Sequence, residues 1–483
     1  MKRIPYKKLQ KYNRIRKNTY SKLLRKYSVR QWLTCIRQIN IKMYNYEIYD
    51  QNSRLKYKPE FLTVNADMAI RVAKDNNNDF ELPVPGQCDW LTSTEINLSD
   101  GPKSLIKLFG VGGISLMAVW QNRLLYNQSN MLARMHVLYK NYDSQVVSAI
   151  GISIKDIYVI LLALSVVYQK KKKIYLKKDA LIHPEIESLS KDKIIKFLAY
   201  FSRTSVQYKA EAKQEKIYEN SFGKFKYLIR YPIIELEEDL YIVPVFEQLL
   251  DTLSNNLYFL LLEHFHNISK KSSKKFLDNF GNILEKYVLD LAGDVFEAKN
   301  IIRADDIVPN ANELRCEVVA YDNNKALAIE VKKMNFKRDA IIDIDKIHID
   351  DVLEKHLVKA FKQIENTLNY VDKEVQYGII VVPDIMLSLS SMIDYMKVRF
   401  KGTAKFDDGI FICTLSWYEA LMANKVDIVF DILNKAFERE FHEGNDIIMV
   451  MDDMKQKGYN IKTLNENLTN STLDILKTIE KKY

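Results

Sequence analysis

The sequence predicts a mixed α+β/α/β protein: a mostly helical N-terminal domain followed by an α-β-β-β-α-β core. Three observations carry this. Helical patterns fill residues 7–45 and about 105–208. Short β-like runs bounded by Pro, Asp and Asn begin only near Lys224. Residues 377–383 (Tyr-Gly-Ile-Ile-Val-Val-Pro) are almost all apolar, as in a strand buried on both faces beneath helices. A chain of 483 residues allows two to four domains, and 47% apolar with 28% charged residues excludes wholesale disorder. The pattern divides the chain into a basic, mainly helical domain (1–222), a hairpin-plus-helix connector (223–271), the core domain (272–440) and a polar helical tail (441–483).

In chain order, Leu9, Tyr12, Ile15, Leu23, Leu24, Tyr27 and Trp32 give 7–45 its helical pattern. The Asn run after Asp75 and the Pro83–Gly86 stretch read as loops. Gly110, Gly112 and Gly113 lack phosphate-loop spacing and read as a turn or a tight helix contact. Ile157–Tyr168 is an apolar run of twelve residues, short of the roughly 20 a membrane span requires, and reads as a buried helix. Lys226–Tyr231 and Leu240–Val245 suggest a hairpin, with Pro232 closing its first strand. An apolar helix follows over Phe246–His266. Its His264 and His266 are two apart, so they do not share a helical face and read as helix-end histidines.

Lys270–Lys275 reads as a linker, and 276–296 as a helix with apolar positions 277, 280, 284, 288, 291 and 295. Then come a short strand (Ala298–Ile302), a loop holding Asp305 and Asp306, and two strands (Leu314–Tyr321 and Ala326–Lys332) around an Asp-Asn-Asn-Lys turn. Apolar positions 349, 353, 357, 360, 364, 368 and 371 give one helix. Strands follow at Tyr377–Pro383 and Gly409–Thr414, and a helix starts at Trp417.

The charge is uneven. Residues 1–45 hold 14 Lys/Arg and no acid, whereas the remainder holds 58 basic against 62 acidic residues. Tyr6, Tyr12, Tyr20, Tyr27 and Trp32 interleave the basic run. Cations bind phosphates by releasing counterions and planar rings stack on bases, so Lys7, Lys8, Lys11, Arg14, Arg16, Lys17, Arg25 and Lys26 form a candidate nucleic-acid-binding arm. The alternatives are packing on an acidic face of the same protein and attraction to an anionic membrane surface. Cys35, Cys88, Cys316 and Cys413 form no CxxC pair, and no apolar stretch follows the charged N-terminus. The expectation is a reduced, cytoplasmic protein without a signal peptide or membrane span.

The chemistry concentrates on the hairpin. If it is symmetric about Asn323–Asn324, Glu317 faces Glu330, and Lys332 shares the face of Glu330 by strand alternation. Facing carboxylates repel unless a cation lies between them, and hard oxygen ligands suit Mg²⁺. Lys332 would then orient a water or balance charge on phosphorus. The same residues would also serve as a Glu–Lys ion pair on a solvated sheet face. Apolar Val318, Leu327, Ile329 and Val331 weigh against solvation.

An acid on one hairpin strand with Glu-x-Lys on the next, inside an α-β-β-β-α-β order over residues 272–420, resembles the PD-(D/E)xK, or restriction-endonuclease-like, nuclease superfamily. Phe280–Val288 resembles that family's first core helix, and Ala360–Ile364 its later glutamine-bearing helix. The resemblance implies metal ligation by Glu317, Glu330, Glu285 and the Val331 carbonyl. It implies a catalytic Lys332, and a Gln363 that steadies Lys332 or the scissile strand. The implied cofactor is Mg²⁺, with Mn²⁺ as substitute.

The implied activity is endonucleolytic cleavage of DNA by metal-activated water, leaving a 3′-hydroxyl and a 5′-phosphate. The family usually has Asp where this chain has Glu317, and the extra methylene moves the carboxylate by about 1.5 Å. Asp305, Asp306 and Asp322 are weaker substitutes, being in loop or turn. Lys355 and Lys359, on the helix of Gln363, read as solvated by default, with phosphate contact as the alternative. By analogy such pairings of nuclease and helical domain look like bacterial antiphage or restriction effectors, with the N-terminal domain holding DNA, a protein partner or a second copy of the chain. The other readings are a catalytically inactive nuclease-like DNA- or protein-binding module and an RNA-directed nuclease.

Overall fold

The computed structural model describes residues 21–45, 59–75, 81–83, 128–214, 228, 230–334, 346–383, 393, 396–402, 409–438 and 447–482. These residues form a mixed α/β protein with one four-stranded and one five-stranded sheet, each combining parallel and antiparallel pairs. The chain splits into two compact units. The first draws on Met1–Ser99, Tyr139–His264 and Asp474–Tyr483, the second on Asp100–Leu138 and Phe265–Leu473. The stretch expected as a connector (223–271) is therefore not separate, and most of the tail expected beyond 441 belongs with the second unit.

The first unit opens with α1 (Val29–Asn45) and α2 (Pro59–Val72). After α3 (Gln128–Tyr139), most of which lies in the second unit, it continues through α4 (Asp143–Ile150), α5 (Ile154–Ser165), β1 (Leu176–Lys177), α6 (Lys191–Phe201), β2 (Ser202–Thr204), α7 (Ser205–Gln214), β3 (Ile233–Glu237), β4 (Leu240–Ile242) and the start of α8 (Phe246–Ile268). The sheet order is β1-β4-β3-β2. Here Pro232 precedes the hairpin rather than closing its first strand. A proline at a strand's start costs no ladder hydrogen bond, and Asp239 supplies the positive φ of the turn.

Trp32, Phe197, Phe201, Tyr208 and Phe246 fill this unit's core. Arg37 is also fully buried, and it is satisfied: it donates to Asn40 Oδ1 and to the Tyr168 carbonyl, each at 2.6 Å. Trp32, expected as a base-stacking ring, is instead sealed in, with its Nε1 on the Leu24 carbonyl at 2.9 Å. Its position in the amphipathic stripe outweighs its basic sequence neighbours. α5 confirms the buried helix expected over 157–168, and a Ser153–Asp156 capping box starts it. Among the described residues no single helix is long and apolar enough to cross a membrane.

The second unit follows the element order read from the sequence. α9 (Lys270–Gly293) leads to β5 (Ile301–Arg303), β6 (Val318–Asp322), β7 (Lys325–Val331), α10 (Lys346–Leu353), a π-helical turn (Glu354–Val358) and α11 (Lys359–Leu368). β8 (Val375–Val382), β9 (Ile410–Thr414), α12 (Leu415–Leu421), α13 (Val426–Glu438), α14 (Ile447–Gln456) and α15 (Glu466–Lys482) complete it, the last turns of α15 belonging to the first unit. Lys270–Lys275, expected as a linker, is the first part of α9. The Ser269 hydroxyl caps it by accepting from Ser272 N at 3.0 Å, and lysine is a good helix former. Of the strand expected over Ala298–Ile302, the first three residues form a 3₁₀ turn instead.

The sheet runs β5-β6-β7-β8-β9, antiparallel to β7 and parallel beyond. Ile379, Ile380, Val381 and Val382 on β8 are fully buried, each contributing about 1.5–3 kcal/mol by leaving water. One face is built small. Ala328 pairs with Gly378, and a Cβ on Gly378 would stand 2.5 Å from Ile364 Cγ2, so only glycine lets α11 lie this close. That face also carries Glu330, two residues beyond Ala328.

Candidate active site

The hairpin turn is Asn323–Asn324, with Asn323 at φ +50°, and the ladder runs from Asp322↔Lys325 to Val318↔Ile329. The register is the one expected. It stops one residue short of Glu317, which sits in a bend. The Glu317 N–H donates to the Ile329 carbonyl at 3.1 Å, while its own carbonyl accepts from Ala304 N at 3.2 Å, so two strands divide its backbone between them. Lys332 N donates to the Val381 carbonyl at 2.9 Å. By strand alternation the Val331 carbonyl faces the other way, where β6 has already ended.

Four of the expected side chains come together. Lys332 is ion-paired with Glu330 Oε1. Glu330 is fully buried, and its Oε2 has no hydrogen-bond partner among the described residues. Burial raises the Glu330 carboxyl to about 7. Lys332 pulls it down, and the charges of Glu317 and Glu285 push it up. Burial also raises Glu317. Glu285, reaching in from α9, adds to this through its charge and a shared hydrogen bond, while Lys332 and Arg303 oppose it. Glu285 is ion-paired with Arg303 at 3.1 Å.

Arg303 had escaped the sequence reading. The signal for it is that β5 pairs with β6 in the register Arg303↔Val318, which sets a cation beside Glu317.

Gln363 does not steady Lys332. Its amide donates to the Arg315 carbonyl at 2.6 Å, and its buried Oε1 has no partner among the described residues. It therefore fixes the backbone two residues before Glu317. Asp305 pairs with Arg315, and Asp322 lies at the hairpin turn, so neither replaces Glu317. Of the basic arm, Lys7, Lys8, Lys11, Arg14, Arg16 and Lys17 lie outside the described residues. Arg25 and Lys26 are exposed in the turn before α1.

The donor set is all oxygen: three carboxylates and a strand-end carbonyl. An anionic oxygen buried without a partner is costly, and a hard divalent cation would relieve that cost. The donor chemistry therefore fits Mg²⁺ or Mn²⁺. Among the described residues no three acidic, His or Cys side chains already surround one point; Lys332 holds Glu330, and Glu285 shares a hydrogen bond with Glu317. Comparison with family profiles, curated proteins and solved structures finds no match to this chain.

Proposed function

We propose that the second unit is a divalent-metal-dependent nuclease domain of the PD-(D/E)xK type that hydrolyses phosphodiester bonds in DNA. The observation that carries the reading is Glu330: a fully buried acid with one orphan oxygen, beside Lys332, with two further glutamates converging from the bend before β6 and from α9. A merely structural glutamate does not need two like charges next to it.

Glu317, Glu330, Glu285 and the Val331 carbonyl would hold the cation, which when bound lowers the pKa of a water and offsets charge developing at phosphorus. The Lys332 ammonium is placed to leave Glu330 and donate to a phosphate oxygen or to the attacking water. Arg303 limits the repulsion between Glu285 and Glu317. Gln363, by holding Arg315, keeps the Glu317 bend in place.

The test is nicking of supercoiled plasmid by the full chain in Mg²⁺ and in Mn²⁺. Glu330→Ala, which removes a metal ligand, and Lys332→Ala, which removes the donor to phosphate or water, should each lower the rate at least about 100-fold. Parallel digestion of RNA distinguishes an RNA-directed enzyme. The second reading, a DNA- or protein-binding module without catalysis, is favoured by the internal pairing Lys332–Glu330 and Arg303–Glu285 and by Glu317 standing where the resembled family has Asp. Retained DNA binding with no nicking in either metal would establish it.

A further inference from the structure

The helix behind the sheet departs from α-geometry at one place, the π-helical turn Glu354–Val358. The buried pairs Val352–Leu353 and Leu357–Val358 are five residues apart. In a straight α-helix the second pair would rotate about 140° off the core, and the extra residue of a π turn keeps both pairs inside. The turn leaves Lys355 on the surface, 72% exposed, and His356 half-buried. Such turns recur at functional sites.

Cations gather around that turn. Lys332 and Lys333 come from the end of β7, and Lys355 and Lys359 from the helix. All four lie close enough to His356 to join burial in holding its imidazole below the ordinary range. Lys333 is half-buried and packed toward α9, where a Cβ on Gly281 would lie 3.8 Å from its Cδ. Acids stand beside three of these lysines. Asp351 lies 3.7 Å from Lys355, Asp278 faces Lys333, and Glu330 holds Lys332. Like charges held this close are unfavourable unless an anion enters among them.

We propose that Lys333, Lys355, His356 and Lys359 form a phosphate-binding subsite beside the three glutamates, gripping a backbone phosphate of the polynucleotide next to the one cleaved. The inference rests on the nuclease reading and extends it. Lys332 serves the scissile phosphate, and this cluster sets where the flanking strand lies. A phosphodiester is the matching ligand class because it presents one negative charge per nucleotide at fixed spacing along a backbone.

The test uses the full chain carrying Glu330→Gln, to prevent cleavage, and a duplex DNA oligonucleotide of about 30 base pairs, chosen to exceed one footprint. Lys355→Ala/Lys359→Ala should weaken binding about tenfold and flatten the dependence of log K on log salt by about 1, the slope of one phosphate no longer neutralised. Lys457→Ala, on the remote α14–α15 loop, should change neither. In the cleaving protein the same double variant should raise KM more than it lowers kcat.

Unchanged affinity and salt slope would overturn the subsite even if plasmid is nicked normally. Loss of affinity in a protein that never nicks DNA would sustain the subsite while the nuclease reading falls.

Discussion

Glu419 and Glu330 are both fully buried glutamates of the second unit, yet they are held in opposite ways. Glu419, on α12, accepts from the Tyr287 hydroxyl at 2.9 Å and lies 3.2 Å from Arg134 Nη1, and both partners are themselves buried. Glu330 has one flexible lysine whose side chain is 15% exposed and two other carboxylates nearby. Desolvation is equally severe at both. At Glu419 the cost is offset by a closed, rigid pair. At Glu330 two like charges add to it, and this separates a locked structural ion pair from a site prepared for a ligand.

The largest effect should come from breaking the closed pair. Arg134→Met removes the cation and leaves the Glu419 carboxylate buried, a change that typically costs about 3–5 kcal/mol. Chemical unfolding should show this loss with and without Mn²⁺. A cost below about 1 kcal/mol, the range of an exposed pair, would mean that Glu419 is not locked and would remove the contrast.

At Glu330 the sign reverses. The folded-state value, about 7, lies above the ordinary 4.5. The fold therefore favours the protonated form. The contribution is full below about pH 4.5 and is lost as pH rises through 7, by up to about 3 kcal/mol. Glu330→Gln mimics the protonated form, so at pH 8 it should be more stable than the parent and lose the Glu330 share of the pH dependence between 4.5 and 7, the raised Glu317 keeping its own. Mn²⁺ should raise the melting temperature of the parent at pH 8 and leave that of Glu330→Gln unmoved. The equivalent Glu419→Gln should be destabilising at every pH. If both substitutions destabilise alike at pH 8, the two glutamates are of one kind.

Local chemistry made much of this unit legible in the sequence. Asn323 suits the left-handed turn conformation it adopts, and the turn sets the register that aligns Glu317 with Glu330. The apolar run on β8 announced a strand buried on both sides. Features set by distant chain were hidden. The bend at Glu317 exists because Ala304 and Ile329 pull one residue's backbone both ways, and Ala304 belongs to a turn whose approach no hairpin rule encodes. Arg303 reaches Glu285 only once β5 has joined β6. Glu419 looked like any helical glutamate because Arg134 lies far away in sequence. The π turn left a trace, two apolar pairs five apart, which a strict helical template reads as noise.

The smallest expected effect sharpens the comparison most, because it acts on one region only. Gly378→Ala places a methyl group 2.5 Å from Ile364 Cγ2 and 3.2 Å from Ile410 Cγ1. α11 must then move off the sheet, at about 1–3 kcal/mol for an overpacked contact. The same helix carries Gln363, so the shift loosens the Arg315 carbonyl and with it the Glu317 bend. Water then reaches Glu330, and its carboxyl should fall back toward the ordinary range, read as a weaker pH dependence of unfolding between 4.5 and 7. The Arg134–Glu419 pair is built from α3 and α12 rather than from α11 or β8. The cost of Arg134→Met should therefore be the same, within about 0.5 kcal/mol, in the Gly378→Ala background. A coupling larger than that would show that the two buried acids share one packing unit, and that the openness at Glu330 is a property of the whole core rather than of the site.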